Sequence, residues 1–405
     1  MKYLGTIGIA VCLAVANWIP IGPEGGYIIV ITCNPADPQK MFCIGSGESE
    51  LPVFRSTDHG STWNRIGTFP ANWCQALCVI PSADSILLAL MGAESVLRST
   101  DYGASWHSVA LPNLYPNALA ADPFIAGRVY VGAYSYQVNS QPFVCVSTDY
   151  GLSWTAVPAA DSGILYSLDC SSTSPGVLYY GGDRGTVRRS TDYGASWHSR
   201  STGLRPDDYI LSLSVNHSSS DILLAGTVHG LFRTTNAGNL WTQVGTAQFA
   251  TCVDFSPAVP AQAVAAGYDT ATAIWYTTDH GASWQRMRQN PATTGRGSGV
   301  FCDPATANAV WAATQAGVLL TTDLGNSWQP RNSGILIASV PALNSAPWNR
   351  RNVYASLAGI GLFKSLDGGR HWEKTSDFLS CGNICAIGLC PGSGNDILYA
   401  LEGSG

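Results

Sequence analysis

The chain reads as an all-β repeat protein on three observations. An eight-residue word, Ser/Thr-x-Asp-x-Gly-x-x-Trp, begins at Ser56, Ser99, Ser147, Ser190, Thr234, Thr277, Thr321 and Ser365. Its third positions (Asp58, Asp101, Asp149, Asp192, Asn236, Asp279, Asp323 and Asp367) lie 43 to 48 residues apart, a period that marks propellers, solenoids or arrays. Between the words, apolar runs of about four to seven residues are bounded by Gly, Pro, Asn, Asp or Ser, the punctuation of antiparallel hairpins, and no window sustains a helical period. Four short strands in a repeat of roughly 44 residues is the arithmetic of a β-propeller built from four-stranded antiparallel blades.

One repeat shows the elements in order. Residues 222–226 form a first apolar run and 230–233 a second, the word follows as a turn, residues 241–244 form a third, and 249–255 open the next repeat. Counting words gives eight complete blades between about residues 24 and 375. Residues 383–394 and 396–405 look like two strands of a ninth, and Trp18 to Ile21 resemble a fourth strand, so the count stands at eight with an incomplete ninth left open. No linker interrupts residues 17–405, which read as one propeller.

The word itself makes sense as the hairpin turn between the third and fourth strands of a blade. Ser/Thr and Asp two residues apart can each bond nearby backbone N–H groups that the turn removes from the ladder. The glycine, Gly60 in the first copy, falls where positive φ is needed. The Trp then starts the returning strand and buries its ring between blades. Eight of the 13 Trp are used this way.

The near-perfect copies Arg55-Ser56-Thr57-Asp58-His59-Gly60-Ser61-Thr62-Trp63, Arg98 to Trp106 and Arg189 to Trp197 carry a resemblance to the Asp-box, or BNR-repeat, propeller superfamily over residues 18–405. Two words depart from it: Asn236 is an amide that can still form the turn, and Ser365-Leu366-Asp367 loses the middle Thr. Sialidases, xyloglucanase-type glycosidases, sortilin-type receptors and photosystem II assembly factors belong to that superfamily, so the resemblance implies a fold before an activity. It implies a sialidase only with an Arg-Ile-Pro motif and three substrate-binding arginines. The chain has Trp18-Ile19-Pro20 instead, and Arg55, Arg98, Arg189 and Arg233 all precede a word as one repeated strand position. Xyloglucanase-type enzymes place two Asp across a cleft between two propellers, and the chain reads as one propeller.

Charged residues make up 12% of the chain and the net charge is −6 with no basic run, which argues against nucleic acid or an anionic membrane as partner. Residues 1–16 read as a signal peptide: Lys2, an apolar stretch from Leu4, and the small-x-small site Ala14-Val15-Ala16. The stretch is too short to span a bilayer. The expectation is therefore a secreted, cell-surface or periplasmic monomer without a membrane span.

The 12 Cys read as buried thiols, several at one repeat position, as in Cys33-Asn34-Pro35 and Cys302-Asp303-Pro304. Cys74/Cys78 and Cys381/Cys385 lie four apart on first strands, about 13 Å and beyond disulfide reach; they can pair only if the strand begins later. No metal site and no cofactor motif is present, and no nucleophile elbow, phosphate loop or zinc-protease motif occurs. Seven of the 27 acids are consumed by the words.

Function is left to the loop face opposite the words. There Trp73, Tyr134, Tyr136, Asp183, Arg184, Tyr209, Tyr268 and Asp269 are the candidate binding residues. Rings stack on apolar sugar faces while acids accept hydroxyl hydrogen bonds, so the expected partner is a glycan or an extracellular protein. The alternative, a glycoside hydrolase, would draw paired carboxylates from Asp183 with Asp161 or Asp208.

Overall fold

The computed structural model describes residues 26–403 except 48–49, 138–139, 161–162, 269–271, 290–298, 315–316, 336–341, 347–348, 358–360, 376–382 and 392–395. The leader-like residues 1–16 and Trp18 to Ile21 lie outside the described residues. The regular elements among the described residues are strands.

All eight complete blades are formed, each a four-stranded antiparallel meander in sequence order. They span residues 28–69, 76–110, 115–158, 165–199, 210–244, 249–286, 300–330 and 342–374, numbered here 1 to 8. Strands Asn383–Pro391 and Asp396–Gly403 pair as a further two-stranded sheet. Middle strands such as Leu178–Gly182, Leu223–Thr227 and Val310–Thr314 are buried along their whole length, because both faces are covered by neighbouring blades, and they read as continuous apolar runs for that reason. Fourth strands such as His198–Ser199 and Gln285–Arg286 are exposed and polar.

The words fold as their residue types require. In the first, Ser56 Oγ accepts the Gly60 N–H at 2.8 Å and donates to Asp58 Oδ1 at 2.8 Å. Asp58 also accepts Thr62 N–H at 2.8 Å and Thr62 Oγ1–H at 2.6 Å. The Asn236 copy keeps the turn through Leu240 N–H to Oδ1 at 2.9 Å, and in the eighth His371 N–H fills the same role on Asp367. Positive φ extends one residue further than the glycine: His59, Tyr102, Tyr150, Tyr193, Ala237, His280 and Leu324 adopt it as well. The residue before the word reaches to the next blade. Arg55 lies 3.8 Å over the Tyr102 ring, Arg98 Nε donates to Tyr150 O at 2.8 Å and Arg233 Nε to His280 O at 2.7 Å. Arg55, Arg98 and Arg233 are thus interblade ties, while Arg189 lies 5.8 Å from the Tyr179 ring of its own blade.

Seven of the eight blades close a ring. Buried clusters join blades 1–2, 2–3, 3–4, 4–5, 5–6 and 6–7 in turn. A further cluster joins Ile28, Met41, Phe54 and Trp63 of blade 1 to Trp311, Val318 and Leu320 of blade 7. The backbone confirms this seam. Trp241 of blade 5 donates its N–H to Thr202 O (2.8 Å) and its indole N–H to Arg200 O (2.7 Å), in the segment leaving blade 4. Trp63 of blade 1 does the same to Ser333 O (2.7 Å) and Arg331 O (2.8 Å), in the segment leaving blade 7. The receiving segments are alike, Arg200-Ser-Thr-Gly203-Leu204 and Arg331-Asn-Ser-Gly334-Ile335. Asp303 locks the seam by accepting His59 Nε2 at 2.5 Å and Trp311 Nε1 at 2.7 Å. Blade 8 instead packs its first strand, Ala342–Ala346, against Asn383–Pro391. The word count supplies the blades but not the point of closure, since the eighth word, despite its missing middle Thr, folds the same turn as the others.

Two predictions follow from the turns and the seam. A Cβ on Gly334, at φ +90°, would sit 1.9 Å from Trp63 O, whereas one on Gly92, at φ +72°, would meet only the Gln75 side chain at 4.0 Å. Gly92→Ala should cost about 1–2 kcal/mol for its backbone conformation, and Gly334→Ala that amount plus about 1–3 kcal/mol of overpacking, measured by urea unfolding. Hydrogen bonds from the Ser327 hydroxyl and backbone and from the Thr321 hydroxyl hold the Asp323 carboxyl at about 2. In Asp279, burial works the other way, yet Ser283 and Thr277 still hold the group at about 2. Folded values below the ordinary value of 3.8 mean that this stabilisation is complete above about pH 4 and lost toward pH 2. Thermal melts over that window should show a steep fall in Tm.

Candidate ligand-binding face

The first strands of blades 1 to 7 neighbour one another around the axis, so each presents an edge with no ladder partner beyond it. Polar side chains at the blade junctions satisfy part of that edge. Gln75 Nε2 donates to Asn117 Oδ1 (2.9 Å) and Asn117 Nδ2 to Leu165 O (3.0 Å), while Ser167 Oγ donates to Ile210 O (3.1 Å). Ser214 Oγ accepts Phe255 N–H at 2.9 Å.

Inside this belt, on blades 2 to 5, lies a cavity of about 680 Å³ lined by Trp73, Gln75, Leu77, Asn117, Leu119, Tyr166, Leu168, Leu211, Ser212 and Leu213 among others. Its lining mixes apolar side chains with amides and hydroxyls, and no charged side chain lines it. Its mouth opens on the face opposite the words, because the first strands begin there.

Aromatic rings flank that mouth. Trp73 is 46% and Tyr209 44% exposed, and Tyr209 lies 5.9 Å from Tyr166 between ring centroids. On blade 3, Tyr115, Tyr134 and Tyr136 form a three-ring platform with centroid distances of 4.9 to 5.9 Å. Tyr134 donates its hydroxyl to Tyr136 at 2.9 Å, and Tyr136 is 61% exposed. Burial and the Tyr136 hydrogen bond push the Tyr134 phenol up, and a hydrogen bond to Glu94 raises that of Tyr115, so these two hydroxyls stay neutral. Tyr268 stands apart at the end of strand Ala263–Tyr268 on blade 6, half exposed.

The candidate acids are placed differently from the rings. Asp208 is fully buried and accepts Arg205 N–H (2.9 Å), Thr227 Oγ1–H (3.1 Å) and His229 Nδ1 (2.8 Å). It clamps its loop and is not presented to a ligand. Asp183 Oδ1 accepts Ile164 N–H at 3.1 Å, and Arg184 lies 4.0 Å from the other oxygen with most of its side chain in solvent. The two loops are joined by Gly185 N–H to Asp208 O at 2.8 Å. Asp161 and Asp269 lie outside the described residues. Cys74 and Cys78 are free thiols, and Cys381 lies outside the described residues. Among the described residues no three His, Cys, Asp or Glu gather to hold a metal ion, and no helix is long and apolar enough to cross a membrane.

Two acids escaped sequence reasoning. Asp169 and Asp254 occupy equivalent sites in the first strands Leu165–Cys170 and Phe249–Phe255. Asp169 accepts Val215 N–H at 2.7 Å and Cys170 N–H at 2.8 Å, and Asp254 accepts Cys302 N–H at 2.8 Å. Burial raises Asp169 to about 6 and Asp254 to about 7, with Asp169 adding to the rise of Asp254. Their signal was a lone acid inside an otherwise apolar strand.

No protein-family model and no curated protein matches the chain. Solved structures do. An ancestral GH74 enzyme superposes with a TM-score of 0.66 at 17% identity, covering 96% of this chain and 60% of its own. The chain has the β-propeller fold. It spans 60% of the length of that GH74 structure. The Niastella koreensis GH74 enzyme (TM-score 0.45, 15% identity, 93% of this chain and 82% of its own) and YCF48 bound to D1 peptide (0.36, 13%, 82% and 89%) are weaker matches. At 17% identity the GH74 match shows the fold and leaves the activity to the site.

The structural role of Asp208 is testable. Asp208→Ala leaves the buried Thr227 hydroxyl and the partly buried Arg205 N–H and His229 Nδ1 without their acceptor and should cost about 2–4 kcal/mol of stability by urea unfolding. Asp183→Ala, which loses the hydrogen bond from Ile164 N–H, should cost about 1 kcal/mol.

Proposed function

We propose that the protein is a secreted binding module that holds a glycan on the propeller face opposite the words. The observation that carries this reading is the ring of aromatic groups around an uncharged cavity: Trp73 and Tyr166 in its lining, Tyr209 beside Tyr166 and the three-tyrosine platform on blade 3. Pyranose faces stack on such rings, and phenol hydroxyls and amides exchange hydrogen bonds with sugar hydroxyls. The leader-like residues 1–16 support export. An extracellular protein ligand would use the same exposed rings, which are of the kind enriched in binding hot spots.

A glycoside hydrolase would need two carboxyls about 5 to 9.5 Å apart facing one bond. Among the described residues, Asp208 is enclosed and Asp183 is engaged by Ile164, which favours binding without turnover.

A glycan array followed by calorimetry checks the reading. Trp73→Ala and Tyr136→Ala should each weaken binding about tenfold, about 1.4 kcal/mol and in the range of a lost aromatic contact, with Tm little changed because both rings are exposed. Hydrolysis of sialosides or β-glucans that disappears in Asp183→Asn would overturn the non-catalytic part of the reading, and unchanged affinity in both aromatic variants would overturn the site.

A further inference from the structure

At one level of the axial channel, a single position repeats in all seven inner strands. Strand pairing registers Thr32, Cys78, Ala120, Asp169, Ser214, Asp254 and Phe301 there, each one residue before the partner of the strand that leads to a word. Three of these side chains reach across to the next blade in the same way. Asp169 accepts Val215 N–H, Ser214 accepts Phe255 N–H, and Asp254 accepts Cys302 N–H. A serine does the job at the blade 5–6 junction, so the bond itself does not require an acid at the junctions of blades 4–5 and 6–7. What the two acids add is titratable charge immediately below the cavity, whose lining includes Leu168 and Leu213 from the same strands.

No cation answers that charge. The seven inner strands contain no Lys, Arg or His. The titratable groups whose fields meet there are Cys33, Cys78, Cys170, Cys252 and Cys302, with Asp122 and Asp303 behind them. Burial drives all five thiols up, so they stay neutral. Asp303 is held at about 2: its burial opposes the shift, but the hydrogen bonds from His59 and Trp311 outweigh it, so it stays negative. Apart from His59, which answers Asp303, and His217, which meets the Phe255 backbone and is pushed below its ordinary value by burial, the fields at this level are neutral or negative.

We propose that Asp169 and Asp254 form a proton-dependent floor to the central cavity, closed when the acids are protonated and loosened at the blade 4–5 and 6–7 junctions when both ionise. Ionisation places two negative charges on partly exposed side chains that no inner-strand cation faces, and their repulsion with the remaining desolvation cost is relieved by letting more water between the inner strands. An uncharged ligand seated on Leu168 and Leu213 is then held more weakly. The regulation of affinity rests on the binding reading above, while the loosening of the floor does not.

The sign follows from folded values of about 6 and about 7, above the ordinary 3.8: the folded state holds protons that the unfolded state has lost, so stability falls as pH rises from about 4 to about 7. The test is hydrogen exchange at the Val215 and Cys302 amides from pH 5 to 8, with protection corrected for the intrinsic pH dependence of exchange. Protection in the ligand-free protein should fall about tenfold or more across that range, the change expected for titration of one to two coupled groups. It should be level with pH in Asp169→Ser/Asp254→Ser, whose serines copy Ser214. Infrared titration of the carboxylic C=O band in the unmodified protein reads the same event without any substitution. PH-independent protection, or the same pH dependence in the double variant, or carboxyls fully ionised at pH 5, would each overturn the proposal. Calorimetry with the array-selected glycan at pH 5.5 and 8 should show weaker binding at pH 8 in the wild type alone. Failure of any glycan to bind at either pH removes the binding reading and leaves the exchange and infrared results to decide the floor.

Discussion

A four-stranded blade is apolar on both faces and cannot bury either by itself. Everything in this ring follows from that constraint. Middle strands become unbroken apolar runs because each is covered twice, and fourth strands become polar because nothing covers them. The Trp at the end of each word marks where one blade is handed to the next. In blades 1 and 5 its main chain and indole both bond to the segment leaving the preceding blade, while in blade 7 the Trp328 indole bonds Gln289 O at 3.0 Å. In Trp106, Trp197 and Trp284 the indole turns back to the carbonyl of its own glycine. The same ring at the same position therefore serves two bonding schemes, and packing between blades selects between them.

Much of this was legible in the residues. The Ser56, Asp58 and Gly60 chemistry dictates the turn before any coordinates, and Asn236 holds its turn because a carbonyl oxygen accepts the Leu240 N–H as a carboxylate would. Closure was not legible. Its determinant is the pairing of Arg331-Asn-Ser-Gly334-Ile335 with Trp63, across most of the chain, and the matching segment at Arg200 pairs with a neighbour. Nothing local distinguishes the two uses.

The face carrying the candidate site was readable to the level of loops but not of atoms. Trp73, Tyr134, Tyr136 and Tyr209 fall around the cavity mouth because first strands begin, and second strands end, on that side. Asp208 reads as a solvated loop acid beside Asp207, and only the fold shows His229 and Thr227 converging on it. Asp169 and Asp254 were hidden for the opposite reason. They sit inside strands, where sequence logic looks for apolar side chains, and their role depends on the backbone of another blade. A period of two along a strand tells which face a residue takes, but not what the neighbouring blade places there.

The seam also bears on how the chain reaches its native state. Trp63 meets Arg331 across 268 residues and His59 meets Asp303 across 244, whereas the other interblade side-chain bonds described, from Trp328 to Gln289 up to Arg98 to Tyr150, span 39 to 52. Each doubling of a closed loop adds only about 0.6 kcal/mol of entropy, so the seam is affordable once its neighbours exist, yet it is the contact that a searching chain finds last. Assembly then resembles a zipper whose teeth engage blade by blade, with one clasp at the end. Because the clasp consists of side chains, the Trp63 N–H and turn carbonyls, with no strand shared between blades 1 and 7 among the described residues, it can open and close without unpairing a β-ladder described in either blade.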